Sequence, residues 1–178
     1  MMPLRRPTGF TLVEMVVIMA ILAIMATMAA PSFNSFFDQY RVKRAVETVN
    51  AFLVNTKSEA IKRNKRVSAV VKGSGTSWCI GMIEMVDDDT TCDCATAGSC
   101  QIDTANRVVD GASYKGVELN AGLDGHRFIF TPLRGTVTGN ATIGLVSNDG
   151  VAYNVVVAPF GRVRICSVGG SKGGYPAC

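Results

Sequence analysis

The sequence predicts an α+β fold in which one long N-terminal helix packs on a C-terminal antiparallel sheet. Two observations carry this. Residues 10–30 are apolar at 18 of 21 positions, broken only by Thr11, Glu14 and Thr27, and apolar residues then recur at spacings of three and four to about residue 61. After Val67 the pattern switches to short β-branched and aromatic runs separated by Gly, Asn and Asp. The 178 residues amount to about one domain. With 48% hydrophobic and 18% charged residues, the chain is neither a disordered tail, nor collagen-like, nor a multi-pass membrane protein. Those averages conceal two parts: from residue 31 onward the apolar share falls to about 43%, that of a soluble domain.

Residues 1–9 carry Arg5 and Arg6 and no acid. A basic stretch before an apolar run resembles a secretory signal, with its positive charge kept on the cytoplasmic side. The run is longer than a signal-peptide core. About 20 helical residues at 1.5 Å each cover the ~30 Å of a bilayer interior, and neither Gly nor Pro interrupts residues 10–30 before Pro31. Glu14 stands out, since a carboxylate inside such a helix costs roughly 2.5–3.5 kcal/mol on insertion scales. It either stays hydrated near the headgroups, about one turn from Phe10, or has a partner.

The run Gly9-Phe10-Thr11-Leu12-Val13-Glu14, with Arg5 and Arg6 before it and an apolar helix with Pro31 after it, resembles the class III signal of type IV prepilins and pseudopilins. The resemblance implies cleavage between Gly9 and Phe10 by prepilin peptidase and methylation of the new Phe10 amine. It also implies assembly with other major and minor pilins or pseudopilins. Residues 1–9 are then a discarded leader, and residues 10–30 a transmembrane and filament-core helix. The Glu14 carboxylate meets a neighbour's Phe10 ammonium, which offsets part of its desolvation and sets the register of assembly. The implied location is the bacterial inner membrane, single-pass with a periplasmic C-terminal domain, and then the pilus.

Residues 31–66 read as an amphipathic continuation of the helix. Phe33, Phe36, Phe37, Val46, Val49 and Leu53 lie on one stripe, with Asp38, Arg41, Arg44 and Lys57 off it. Residues 10–62 are about 53 in number, roughly 80 Å if continuous through Pro31. The cluster Lys62-Arg63-Asn64-Lys65-Arg66 suits a helix C-terminus and is also a candidate polyanion contact.

Residues 67–178 form the β-rich domain. Strands are expected at 67–72, 77–82, 127–131, 141–146, 152–158 and 162–168, with Asn148-Asp149-Gly150 as a hairpin turn. Between residues 84 and 110 seven acids face one base, Arg107. This reads as a solvated loop more readily than as a calcium loop, because EF-hand spacing is absent. Cys92, Cys94 and Cys100 lack the paired spacing of a zinc site. Outside the cytoplasm an even cysteine count reads as disulfides: Cys166 with Cys178 across a glycine-rich tail, and Cys79, Cys92, Cys94 and Cys100 among themselves in an order left open. The sequence carries no catalytic constellation, and neither enzyme activity, metal nor cofactor is expected.

Thr56-Lys57-Ser58-Glu59-Ala60-Ile61-Lys62-Arg63, Phe130-Thr131-Pro132-Leu133-Arg134-Gly135 and Val155-Val156-Val157-Ala158-Pro159-Phe160-Gly161-Arg162-Val163-Arg164 resemble the FimT/FimU and GspH group of minor pilins and pseudopilins. The resemblance implies a pilin-like fold and a role in a type IV pilus, priming or capping it for motility, adhesion or DNA uptake. The alternative is a GspH-like pseudopilin of a type II secretion system. In FimT-type pilins a GRxR motif is associated with DNA binding, and Gly161-Arg162-Val163-Arg164 matches it. On a strand Arg162 and Arg164 share a face about 6.6 Å apart, with Val163 and Ile165 toward the core. Arg134, Lys172, His126, Arg127 and the helix-end cluster extend the candidate surface for double-stranded DNA. The net charge of +4 is modest, and half of it sits in the leader.

Overall fold

The structure, a computed structural model, describes residues 9–178, those of 28–35 by backbone only. The leader reading therefore falls outside the described residues, apart from Gly9. The chain divides into two units, one ending at Phe37 and one spanning Asp38–Cys178, and helix α1 (Leu12–Arg63) runs through both.

The helix begins where local chemistry lets it. The Glu14 backbone N–H donates to Thr11 Oγ1 at 3.3 Å, and the Thr11 N–H donates to Glu14 Oε2 at 3.5 Å. Two donors otherwise orphaned at a helix start are satisfied reciprocally, as in a capping box. In the first unit Leu12, Val13, Val16, Ile21, Leu22 and Ile24 are all exposed, so this unit buries none of them by itself. No helix among the described residues is long and apolar enough to cross a membrane.

The helix also ends for a local reason. Asn64 takes a left-handed φ of 53°, and the N–H groups of Lys65 and Asn64 donate back to the carbonyls of Ala60 and Ile61. This is the Schellman arrangement, with asparagine in the place glycine usually fills.

In the second unit the α+β arrangement is the predicted one, but the strands form more than one sheet. β1 (Val67–Ser74), β2 (Ser77–Glu84), β5 (Val108–Asp110), β7 (Arg127–Phe130) and β8 (Val137–Thr138) make a five-stranded sheet in the order β5-β2-β1-β7-β8. β6 (Val117–Leu119), β9 (Thr142–Ser147), β10 (Ala152–Val157) and β11 (Val163–Ser167) make a four-stranded sheet in the order β11-β10-β9-β6. β3 (Gln101–Ile102) and β4 (Ala105–Asn106) form a small hairpin. Every strand pairing is antiparallel.

Val42, Ala45, Val46, Val49, Leu53 and Ala60 of α1 are wholly buried in one core with residues of both large sheets, among them Val71, Ile80, Phe128, Phe130, Ile143, Leu145 and Val155. Alternation along β1 sends Val67, Ala69 and Val71 to that core. Val70 goes to a second cluster with Cys79, Cys92, Cys94 and Cys100. The insert between β2 and β5 therefore packs as a disulfide-bonded cover over the sheet face opposite the helix. Cys79 pairs with Cys94 and Cys92 with Cys100, which supplies the connectivity the sequence left open.

Candidate nucleic-acid interface

Two turns of similar chemistry meet beside α1. The first follows β10. Ala158-Pro159-Phe160-Gly161 is closed by the Gly161 N–H donating to the Ala158 carbonyl at 2.8 Å, and the Ala158 N–H donates to Arg162 O at 2.9 Å. Pro159 supplies the fixed φ of the first turn position, and Gly161, at φ 69°, supplies the left-handed one. Phe160 is left at the tip, 83% exposed. The second turn, Thr131-Pro132-Leu133-Arg134-Gly135, repeats the design. The Gly135 N–H donates to Thr131 O at 3.1 Å, Gly135 sits at φ 58°, and Leu133 is 90% exposed.

The turns are held back to back. A Cβ built on Gly161 would lie 1.8 Å from the Gly135 carbonyl oxygen, so only glycine permits the approach. The Val137 N–H donates to Pro159 O at 2.9 Å, and Lys57 Nζ of α1 donates to Gly161 O at 3.0 Å. Arg134 and Arg162 are each the chain neighbour of one glycine in this contact, so the fold brings together two arginines 28 positions apart in sequence. Arg162 lies in the turn just before β11 rather than on a strand. Arg164 is on β11 opposite Val156, and both arginines are exposed. Val163 and Ile165 pack against the core.

Several residues read as extending this surface are engaged elsewhere. In the helix-end cluster Lys62 pairs with Glu59, Lys65 with Glu84 and Arg66 with Asp88. Arg63 holds Glu59 at 2.7 Å and also grips Asp103. Arg127 donates to the carbonyls of Asp88 and Thr90. His126 Nε2 lies 2.7 Å from Gly139 O, with its ring edge-on to Phe128. The acidic insert thus neutralises the cations nearest to it. Among the described residues Arg134, Arg162, Arg164 and Lys172 have no salt-bridge partner.

Lys172 lies apart from the other three. The tail is closed by the Cys166–Cys178 disulfide and folds beyond the Ser167 end of β11, where Tyr175 stacks edge-on to Tyr153 and donates to Glu47 of α1. Burial and that hydrogen bond push the Tyr175 phenol up to about 12. Arg162 precedes the other end of β11, a strand's length of about 13 Å away.

The Arg63 contacts make a testable clamp. Hydrogen bonds from Arg63 hold the Asp103 and Glu59 carboxyls below their ordinary values of 3.8 and 4.5. Groups lowered on folding stabilise above their unfolded values and lose that contribution as pH falls through the folded ones. The protection factor of the Arg107 amide, bonded to Cys100 O beside the small hairpin, should therefore fall as pH drops below about 4.5, and Asp103→Asn should be weakly protected already at pH 7. Hydrogen exchange across a pH series reads both, and equal protection in the two proteins at neutral pH refutes the clamp.

The sequence matches the family described as Type II transport protein GspH over residues 45–161. It matches the Prokaryotic N-terminal methylation motif over residues 4–30. Among solved structures the chain is similar to the type IV minor pilin FimU of Pseudomonas aeruginosa, at 20% identity, 69% coverage of this chain and 90% of that one, and a TM-score of 0.46. No curated protein matches it.

Proposed function

The chain belongs to the GspH family of type II transport proteins, a minor-pilin and pseudopilin family, and from that premise we propose that it is a minor type IV pilin that binds DNA without sequence specificity. Its methylation motif marks it as a substrate of prepilin peptidase and as a subunit that assembles with other pilins. The proposal places cleavage between Gly9 and Phe10, methylation on Phe10, and anchoring in the inner membrane through residues 10–30 before incorporation into the filament. The periplasmic domain is residues 38–178, with its candidate DNA contacts at Arg162, Arg164 and Arg134 and a secondary one at Lys172.

One observation supports the DNA reading above the rest. Besides the Lys62–Glu59 pair, the segments 48–62, 131–139 and 158–165 carry Lys57, Arg134, Arg162 and Arg164, and Glu59, their one acid, is also bound by Arg63. Contacts of this kind go to phosphates and depend on salt, with log K falling at about 0.9 per phosphate neutralised. Duplex binding by the processed chain in detergent should therefore show a salt slope near −3, and Arg162→Ala/Arg164→Ala should reduce it by roughly 2. Binding unaltered by the double change, or absent at low salt, removes the DNA reading.

The family's own description supports a second reading, a pseudopilin of a type II secretion system. Deleting the gene separates the two. Loss of twitching and transformation supports the pilus, and loss of exoprotein release alone supports the secretion system.

A further inference from the structure

The two turn tips carry more than charge. Phe160 and Leu133, at 83% and 90% exposure, are among the most exposed large apolar side chains of the second unit. Each sits next to, or two positions from, an arginine without a salt-bridge partner. The Gly161–Gly135 contact and the Lys57 hydrogen bond fix the turns against each other and against α1. Proline fixes one φ in each turn, and the Gly135 and Gly161 N–H groups close the two turns onto Thr131 O and Ala158 O. The apolar tips are thus held out into water by a stiff frame ringed with cations.

We propose that this pair of tips is a single-strand clamp, in which Phe160 stacks on an unpaired base, Leu133 packs on the neighbouring base or sugar, and Arg134 and Arg162 hold the flanking phosphates. The inference rests on the DNA-binding reading above and adds the form of DNA the site selects. The bases of a closed duplex are stacked on one another and offer a protruding phenyl ring no face, so the tips gain nothing there beyond phosphate contacts. An unpaired strand offers every base face. Aromatic stacking of this kind tolerates any sequence, and it is the usual means by which single-strand sites supplement a basic groove. A cationic rim also disfavours a basic partner surface. The nearest acid on these segments, Glu59, is 7% exposed and faces Arg63 rather than the tips.

The test uses the full processed chain in detergent micelles with three probes: a thymidine homopolymer, a blunt linear duplex and a covalently closed circular duplex. The wild type should bind the homopolymer about tenfold more tightly than the closed circle at the same nucleotide concentration. Phe160→Ala should lose that margin and leave closed-circle binding unchanged, whereas Phe160→Trp should keep it. Because Phe160 is exposed, its variants should unfold at the same temperature as the wild type. Equal binding of the homopolymer by Phe160→Ala and wild type, or a wild-type preference for the closed circle, overturns the clamp while leaving duplex binding standing. Failure of the wild type to bind any probe overturns the DNA reading and the clamp together. Normal DNA binding with defective filament incorporation of Phe160→Ala makes the tips a contact with a neighbouring pilin, and also overturns the clamp.

Discussion

Gly161→Ala should destabilise the folded domain by roughly 2–4 kcal/mol, a larger loss than removal of either neighbouring arginine. Two costs add. At φ 69° any side chain pays about 1–2 kcal/mol for left-handed backbone. The new Cβ would also press to 1.8 Å from the Gly135 carbonyl oxygen and 3.3 Å from Lys57 Nζ. A lysine tip can swing aside, but a backbone carbonyl moves only with its peptide, and the peptides on either side are held by the bonds of the Gly135 N–H to Thr131 O and of the Val137 N–H to Pro159 O. Gly150 provides the control, with a similar φ of 77° but nothing within 4 Å of its built Cβ, so Gly150→Ala should cost the backbone strain alone. Urea unfolding of the two variants decides the matter, and equal losses refute the packed contact. If the contact holds, the glycine of the Gly-Arg-Val-Arg motif positions an arginine rather than touching DNA.

How far the sequence revealed this arrangement depended on whether a signal was local. Helix periodicity survives any tertiary context that buries one stripe, and the expected end at Lys62 lies one residue from the observed Arg63. The six expected strands fall within two residues of observed ones because each carries two to four β-branched or aromatic residues between turn signals. β3, β4, β5, β6 and β8 have no counterpart among the expected strands because two or three residues are too few to show alternation. Val117-Glu118-Leu119 does alternate buried, exposed, buried, but only its pairing with β9 makes that visible. The division into two sheets is likewise a matter of pairing, which no local pattern encodes.

At the candidate site the turn chemistry was present in Pro132–Gly135 and Pro159–Gly161, whereas the contact between the turns was not. Charge misled in a physical way. Lys65, Arg66 and Arg127 read as free cations because Glu84 and Asp88 lie 19 to 39 positions away and meet them only through the folded insert. The modest +4 of the chain is therefore distributed by the fold: the acidic insert cancels one basic end, and the turn pair keeps its own charge.

Glu14→Gln should process normally yet be incorporated into filaments many-fold less than the wild type. The reasoning starts from two roles that one side chain can fill. In the structure Glu14 closes a capping box with Thr11, and a glutamine oxygen accepts the same hydrogen bond. The second role, pairing with a neighbour's Phe10 ammonium in the apolar filament core, needs the charge, because a neutral amide offsets little of the desolvation of an ammonium. Glu14→Gln therefore removes the pair and keeps the cap, while Glu14→Ala removes both. If the charge governs assembly, the two variants should be about equally poor in sheared filaments and equally abundant, processed, in the membrane fraction. Wild-type incorporation of Glu14→Gln with loss confined to Glu14→Ala would assign the residue to starting its own helix. Thr11→Ala tests the same division from the other side. It takes the cap away at a cost of about 1 kcal/mol and leaves the carboxylate, so it should assemble far better than either Glu14 variant if the ion pair sets the register.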